Sequence, residues 1–99
     1  MIMQDRLGHF EWDEKKAILN YKKHGVRFED AALTFFDPDF IRLFDAKHSD
    51  DEVRYAGTGI HPSGVTLVTI YTERGDNFRI ISSRKANRKE RQAYENSKN

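Results

Sequence analysis

At Asp37-Pro38 the spacing of apolar residues switches from a helical period to that of strands, and that switch restricts the fold more than any other feature. Before it, Phe28, Ala31, Ala32, Phe35 and Phe36 fall at i, i+3, i+4, i+7 and i+8, the spacing of one helical face. After it, Phe40 to Phe44, Val53 to Ile60, Val65 to Tyr71 and Phe78 to Ser82 follow the period of two that extended strands require. A residue before proline is pushed toward extended geometry and the ring cannot continue a helix, so Asp37-Pro38 is a stop. Helices followed by a run of strands, rather than alternating with them, define the α+β class.

Local signals supply the remaining elements. Phe10-Glu11-Trp12 is a short alternating run, and Asp13 after it is a helix N-cap with Glu14 at the positive end of the dipole. Ala17, Ile18 and Tyr21 continue that helix until Gly25 stops it. His61-Pro62-Ser63-Gly64 and Arg74-Gly75-Asp76 are turn sequences. They frame Val65 to Tyr71, whose β-branched residues on both faces predict a central strand. Asn87 and Glu90 form a capping-box start for a last helix anchored by Tyr94. The expected order is β-α-α-β-β-β-β-α, with helices packed on a curved, mainly antiparallel sheet. Ninety-nine residues without repeat or linker suit one domain, 10–99, preceded by an N-terminal extension, 1–9.

Composition narrows the chemistry. The chain has no cysteine, which excludes a disulfide framework, a thiolate zinc site and a thiol nucleophile, and suits a cytoplasmic setting. Nowhere is there the run of roughly 18 apolar residues that a membrane span needs, so no membrane association is expected. Four scattered histidines show no ligand spacing, and Gly57-Thr58-Gly59 lies inside a strand pattern rather than between strand and helix. Neither a metal nor a nucleotide cofactor is expected. The net charge of +1 conceals segregation: residues 29–52 carry eight acids against two bases, and residues 74–99 carry eight bases against three acids. The basic segment favours polyanions; the acidic one could meet a basic protein.

These ingredients suit metal-free attack on a phosphodiester, in which RNA supplies its own 2′-hydroxyl nucleophile and the protein supplies cations, a base and an acid. Strict alternation along the strand at 77–83 places Asn77, Arg79, Ile81 and Ser83 on one face and Phe78, Ile80 and Ser82 on the other, so Arg79 is a sheet-surface cation, with Arg54 its counterpart one hairpin away. Glu73 is a base or a salt-bridge partner. Lys23 and His24, at a helix end, could bind phosphate or donate a proton, or merely complement the dipole. His48, among acids, is a possible general acid or a solvated loop residue. Arg84, Lys85, Arg88 and Lys89 form a cationic stretch suited to phosphate contacts or to solvation. Phe28, Phe35, Phe36 and Trp12 follow core spacing, which leaves Tyr55 and Tyr71 as the aromatics that could stack a base.

The strings FEWDEKKAILNYKKHGVRFEDAALTFFDP, KHSDDEVRYAGTG and YTERGDNFRIISSRKANRKERQAYE, in that order over residues 10–95, resemble the BrnT toxin family. The resemblance implies a RelE-like ribonuclease toxin of a type II toxin–antitoxin pair, hetero-oligomeric with a BrnA-like antitoxin through which alone it meets DNA. It carries function to Lys23 and His24 in K-H-G, to His48, Glu52 and Arg54 in H-S-x-x-E-x-R, to Glu73 in Y-T-E-R-G-D, and to Arg79 and Arg84 in R-I-I-S-x-R. The expected activity is endonucleolytic cleavage of RNA that inhibits translation, with Arg54 and Arg79 stabilising transition-state charge and Glu52 and Tyr71 in support. The alternative is a noncatalytic module that acts as a corepressor with its DNA-binding partner.

Overall fold

The computed structural model describes residues 2–5 and 8–98, with side chains from His9 onward except that of His48. Strands β1 (Ile2–Asp5) and β2 (Gly8–Glu11) precede helices α1 (Glu14–His24) and α2 (Phe28–Leu33); strands β3 (Ile41–Phe44), β4 (Tyr55–Ile60), β5 (Thr66–Arg74) and β6 (Asn77–Lys85) follow, and helix α3 (Arg88–Ser97) ends the described chain. The α+β class and the helix-then-strand order hold, with one more strand at the start than the sequence predicts. The sheet runs β1-β2-β6-β5-β4-β3. Its last four strands form the expected antiparallel meander, while β2 joins β6 in parallel.

Capping explains the helix boundaries. Asp13 Oδ1 accepts the Lys15 and Lys16 N–H groups at 2.8 and 3.1 Å, bonds that hold its carboxyl below the ordinary range, and Gly25 ends α1 at φ +70°. In α3 the Asn87 side chain accepts the Glu90 N–H at 2.8 Å and Glu90 returns the bond at 2.9 Å. After Leu33, the second helix tightens into a 3-10 turn, Thr34–Phe36. Three residues per turn instead of 3.6 carry Phe36 off the buried stripe, so it is 41% exposed rather than core.

The core lies between α2 and one face of the sheet. Phe10, Trp12, Phe28, Ala31, Ala32, Phe35, Tyr71 and Ile80 form it, with Phe35 at 4.6–5.3 Å from the rings of Phe40, Phe10, Tyr71 and Phe78. Gly57 and Gly59 make room for this packing: a Cβ on Gly57 would meet the Phe40 ring at 2.2 Å, and one on Gly59 the Thr34 carbonyl at 2.6 Å. Two polar knots close the structure. The Asn20 amide donates to the Val26 and Ser83 carbonyls and accepts the Ser83 N–H at 2.9–3.0 Å, so α1 takes the place of a strand along β6 beyond the end of β2. Asp37 accepts the Tyr94 hydroxyl, the Ile60 N–H at 2.8 Å and the Asp39 N–H at 2.9 Å, tying α3 and β4 to the segment that breaks the helix.

Strict alternation fails once, in β6. Ile70 pairs with Ser82 but Tyr71 pairs with Ile80, so Ile81 is an extra residue and the strand carries a β-bulge. Beyond it the faces exchange. Ser83 is buried against Thr69, Oγ to Oγ 2.9 Å, while Ser82 and Arg84 join the face of Arg79. The expected grouping of Ser83 with Arg79 is therefore corrected.

Candidate functional site

The face of β5 turned away from α2 presents Val68, Ile70 and Thr72, with Arg84, Ser82 and Arg79 as their partners in β6. On the other side, Tyr55 pairs with Tyr71, and Arg54 one step earlier extends the β3–β4 ladder by accepting the Asp45 N–H at 2.8 Å. Tyr55 packs toward the core, so alternation turns Arg54 to the face of Thr72. Arg54 and Arg79 thus flank Thr72 on one face, their backbones about 10 Å apart, two strand spacings. The buried Thr72 hydroxyl donates to the Val53 carbonyl at 2.7 Å, and the Arg54 N–H donates to Ser49 Oγ at 2.9 Å, which fixes the segment carrying Arg54.

Among the described residues neither guanidinium is tightly paired. Arg79 Nη1 lies 3.5 Å from Glu11 Oε2, and Arg54 Nη2 lies 3.9 Å from Glu52 Oε1. Glu52 also meets Arg74 at 3.3 Å, and the buried Arg54 Nε has no hydrogen-bond partner among the described residues. Long ion pairs of this kind contribute little, so both forks keep donors for an anion. Arg84 is different. Its two terminal nitrogens grip Glu90 at 2.7 and 2.8 Å, bonds that raise the arginine and lower the glutamate from their ordinary ranges. Its fork is committed to bracing the first turn of α3 against β6.

Beside the arginine pair, α1 overhangs the same face and encloses a cleft of about 400 Å³. Lys16, Lys23 and His24 line it from the helix and Arg84 from the sheet, over a floor of Val68, Ile70 and Ile81. Lys16, Leu19, Asn20 and Lys23 recur at helical spacing, which is the signal that would have added Lys16 to Lys23. Glu11 was missed because its place beside Arg79 depends on the parallel β2–β6 register, a contact between distant segments.

Other expected site residues fall elsewhere. Glu73 follows Thr72 and so turns to the opposite face, where its Oε1 lies 3.2 Å from Arg42 Nη1. Tyr71 is 1% exposed within the aromatic core, its hydroxyl pushed up by burial, and presents no ring face to a base. Tyr55 is half-buried beneath Arg42, 4.2 Å from ring centroid to guanidinium carbon. Lys85 pairs with Leu67 on the α2 side. Arg88 and Lys89 are exposed on α3, outside the cleft lining. The His48 side chain lies outside the described residues.

Loosely paired cations gathered on one sheet face give this small α+β domain a surface whose electrostatics favour polyanions. Residues 12–90 match the family model described as ribonuclease toxin, BrnT, of type II toxin-antitoxin system, and the chain belongs to that family. Among solved structures, the chain is similar to the crystal structure of the Brucella abortus ribonuclease toxin, BrnT, with a TM-score of 0.62 and 23% identity over 80% of this chain and 96% of that one. No curated protein matches the chain. Membership of a toxin–antitoxin system implies an antitoxin partner. Among the described residues no helix is long and apolar enough to cross a membrane.

Proposed function

We propose that this chain is a metal-independent endoribonuclease that inhibits translation by cleaving RNA through the 2′-hydroxyl, and that a BrnA-like antitoxin neutralises it in a hetero-oligomer in the cytoplasm. The observation that carries this reading is the placement of Arg54 and Arg79 on either side of Thr72 with their guanidinium donors incompletely used. Two forks aimed at one phosphate stabilise the extra negative charge of the phosphorane, and each donor contributes about 3 kcal/mol to that stabilisation. The cationic cleft receives the adjoining strand: Lys16, Lys23 and His24 meet phosphates while the apolar floor accepts a base. Arg84 acts indirectly by holding α3 in place.

The test is cleavage of messenger RNA by the purified wild type, Arg54→Ala and Arg79→Ala proteins. Wild type should cut, and each variant should cut roughly 100-fold to 1,000-fold more slowly with its fold intact. Intact RNA with the wild type, or full activity in both variants, ends the proposal.

A further inference from the structure

Glu73 stands on the wrong face to serve the arginine pair, but the arginine face has a carboxylate of its own. Glu11 lies directly across the parallel ladder from Arg79, with a side chain 19% exposed and Oε2 at 3.5 Å from Arg79 Nη1. Its neighbour Phe10 enters the core completely, so alternation turns Glu11 and His9 toward the arginines. The other acids nearby are occupied. Asp13, close enough to feel the charge of Arg79, caps α1 through Oδ1, and Glu52 sits between Arg54 and Arg74. Among the described residues, Glu11 is the carboxylate bonded only to a guanidinium that the nuclease reading assigns to phosphate.

We propose that Glu11 is the proton acceptor for the 2′-hydroxyl, an inference that rests on the nuclease reading above. A guanidinium that bridges a carboxylate and a phosphate holds the two a fork's width apart, which brings Glu11 within hydrogen-bond reach of the hydroxyl beside the scissile bond. The 2′-hydroxyl gives its proton to Glu11 and the 2′-oxygen bonds to phosphorus. The bond from phosphorus to the 5′-oxygen then breaks, its electron pair stays on that oxygen, and a proton from water completes the 5′-hydroxyl. The products are a 2′,3′-cyclic phosphate and a 5′-hydroxyl end. Among the described residues, the titratable and charged groups around Glu11 are Arg79 from β6, His9 and Asp13 from its own segment, and Arg54 with Glu52 beyond Thr72.

Cleavage of one RNA oligonucleotide is followed across pH for the wild type, Glu11→Gln and Glu11→Asp, with product ends read by mass spectrometry and folding checked by thermal melting. Glu11→Gln should cut about 100-fold more slowly or worse, and the fall in wild-type rate on the acid side should vanish from its profile. If Gln disturbs the fold, Glu11→Asp decides: withdrawn by one methylene, it should lose roughly 10-fold or more in rate yet keep the acid-side fall. A Gln variant within a few fold of wild type, or one that retains the acid-side fall, reduces Glu11 to a partner of Arg79 and overturns the proposal, as does wild-type speed in the Asp variant. Intact RNA with the wild type instead ends the nuclease reading as a whole.

Discussion

The Asp37 knot and the Arg54–Arg79 pair are both made of sparsely exposed polar groups, and they are used in opposite ways. Asp37 accepts three donors at once, and the bonds outweigh the burial that would otherwise raise its carboxyl, so it sits below the ordinary range. Arg54 and Arg79 reach their carboxylates only at 3.9 and 3.5 Å, and Arg54 Nε has no partner among the described residues. A saturated polar group fixes geometry, whereas an unsaturated one in a preorganised frame keeps its capacity for a ligand. The two regions therefore predict opposite responses to mutation: loss of stability around the knot and the core beside it, loss of activity around the arginines.

The largest effect is expected in the core. Phe35→Ala removes a ring that touches four others, and should cost about 3 to 5 kcal/mol in urea unfolding while the fraction that remains folded keeps its RNA cleavage rate. Arg79→Ala is the mirror image. Its long ion pair with Glu11 contributes at most about 1 kcal/mol, so the melting midpoint should barely move while cleavage collapses. A large stability loss in Arg79→Ala would erase the contrast.

Next in size is the knot itself. Asp37→Asn keeps the shape but removes the charge that Tyr94 and the two N–H groups address, and should cost about 1.5 to 3 kcal/mol at neutral pH. The folded carboxyl titrates below its unfolded value, so its contribution is complete above roughly pH 4 and disappears as pH falls through the folded value. Unfolding midpoints of wild type and variant should therefore converge on acidification. Parallel curves would show that the carboxylate charge is not what holds the knot.

What the sequence disclosed was local. Asp13, Gly25 and the Asn87–Glu90 box are caps whose chemistry lies within four residues, and each was readable. The strings carrying Arg54 and Arg79 were readable as well, but their shared face was an argument from alternation that the register alone could test. The bulge at Ile81 leaves no mark in a strand of alternating residues, and it decides which of Ser82, Ser83 and Arg84 accompanies Arg79. The parallel pairing of β2 with β6 joins segments more than sixty residues apart, which no local pattern encodes. Glu11 was hidden for that reason, and of the two readings open for Glu73 the structure gives the salt-bridge partner, its arginine being the sequence-distant Arg42 of β3 rather than the adjacent Arg74.

The smallest expected effect tests how far the arginine site extends. Among the described residues no acid lines the cleft beneath α1, and Lys16 and Lys23 stand seven residues apart on one stripe of that helix, so a strand leaving the arginine pair would pass both. A lysine that contacts phosphate releases condensed counterion, which adds about 0.7 to the slope of log affinity against log salt for single-stranded RNA. Lys23→Ala should reduce that slope by about 0.7 and weaken binding by less than roughly tenfold at moderate salt. Lys22→Ala serves as the control, because Lys22 lies in a separate groove with Glu14, Tyr21 and Glu29 and should leave the slope unchanged. Equal slopes for Lys23→Ala and wild type would confine recognition to Arg54 and Arg79; a reduced slope in both variants would mean that RNA wraps α1 rather than threading beneath it.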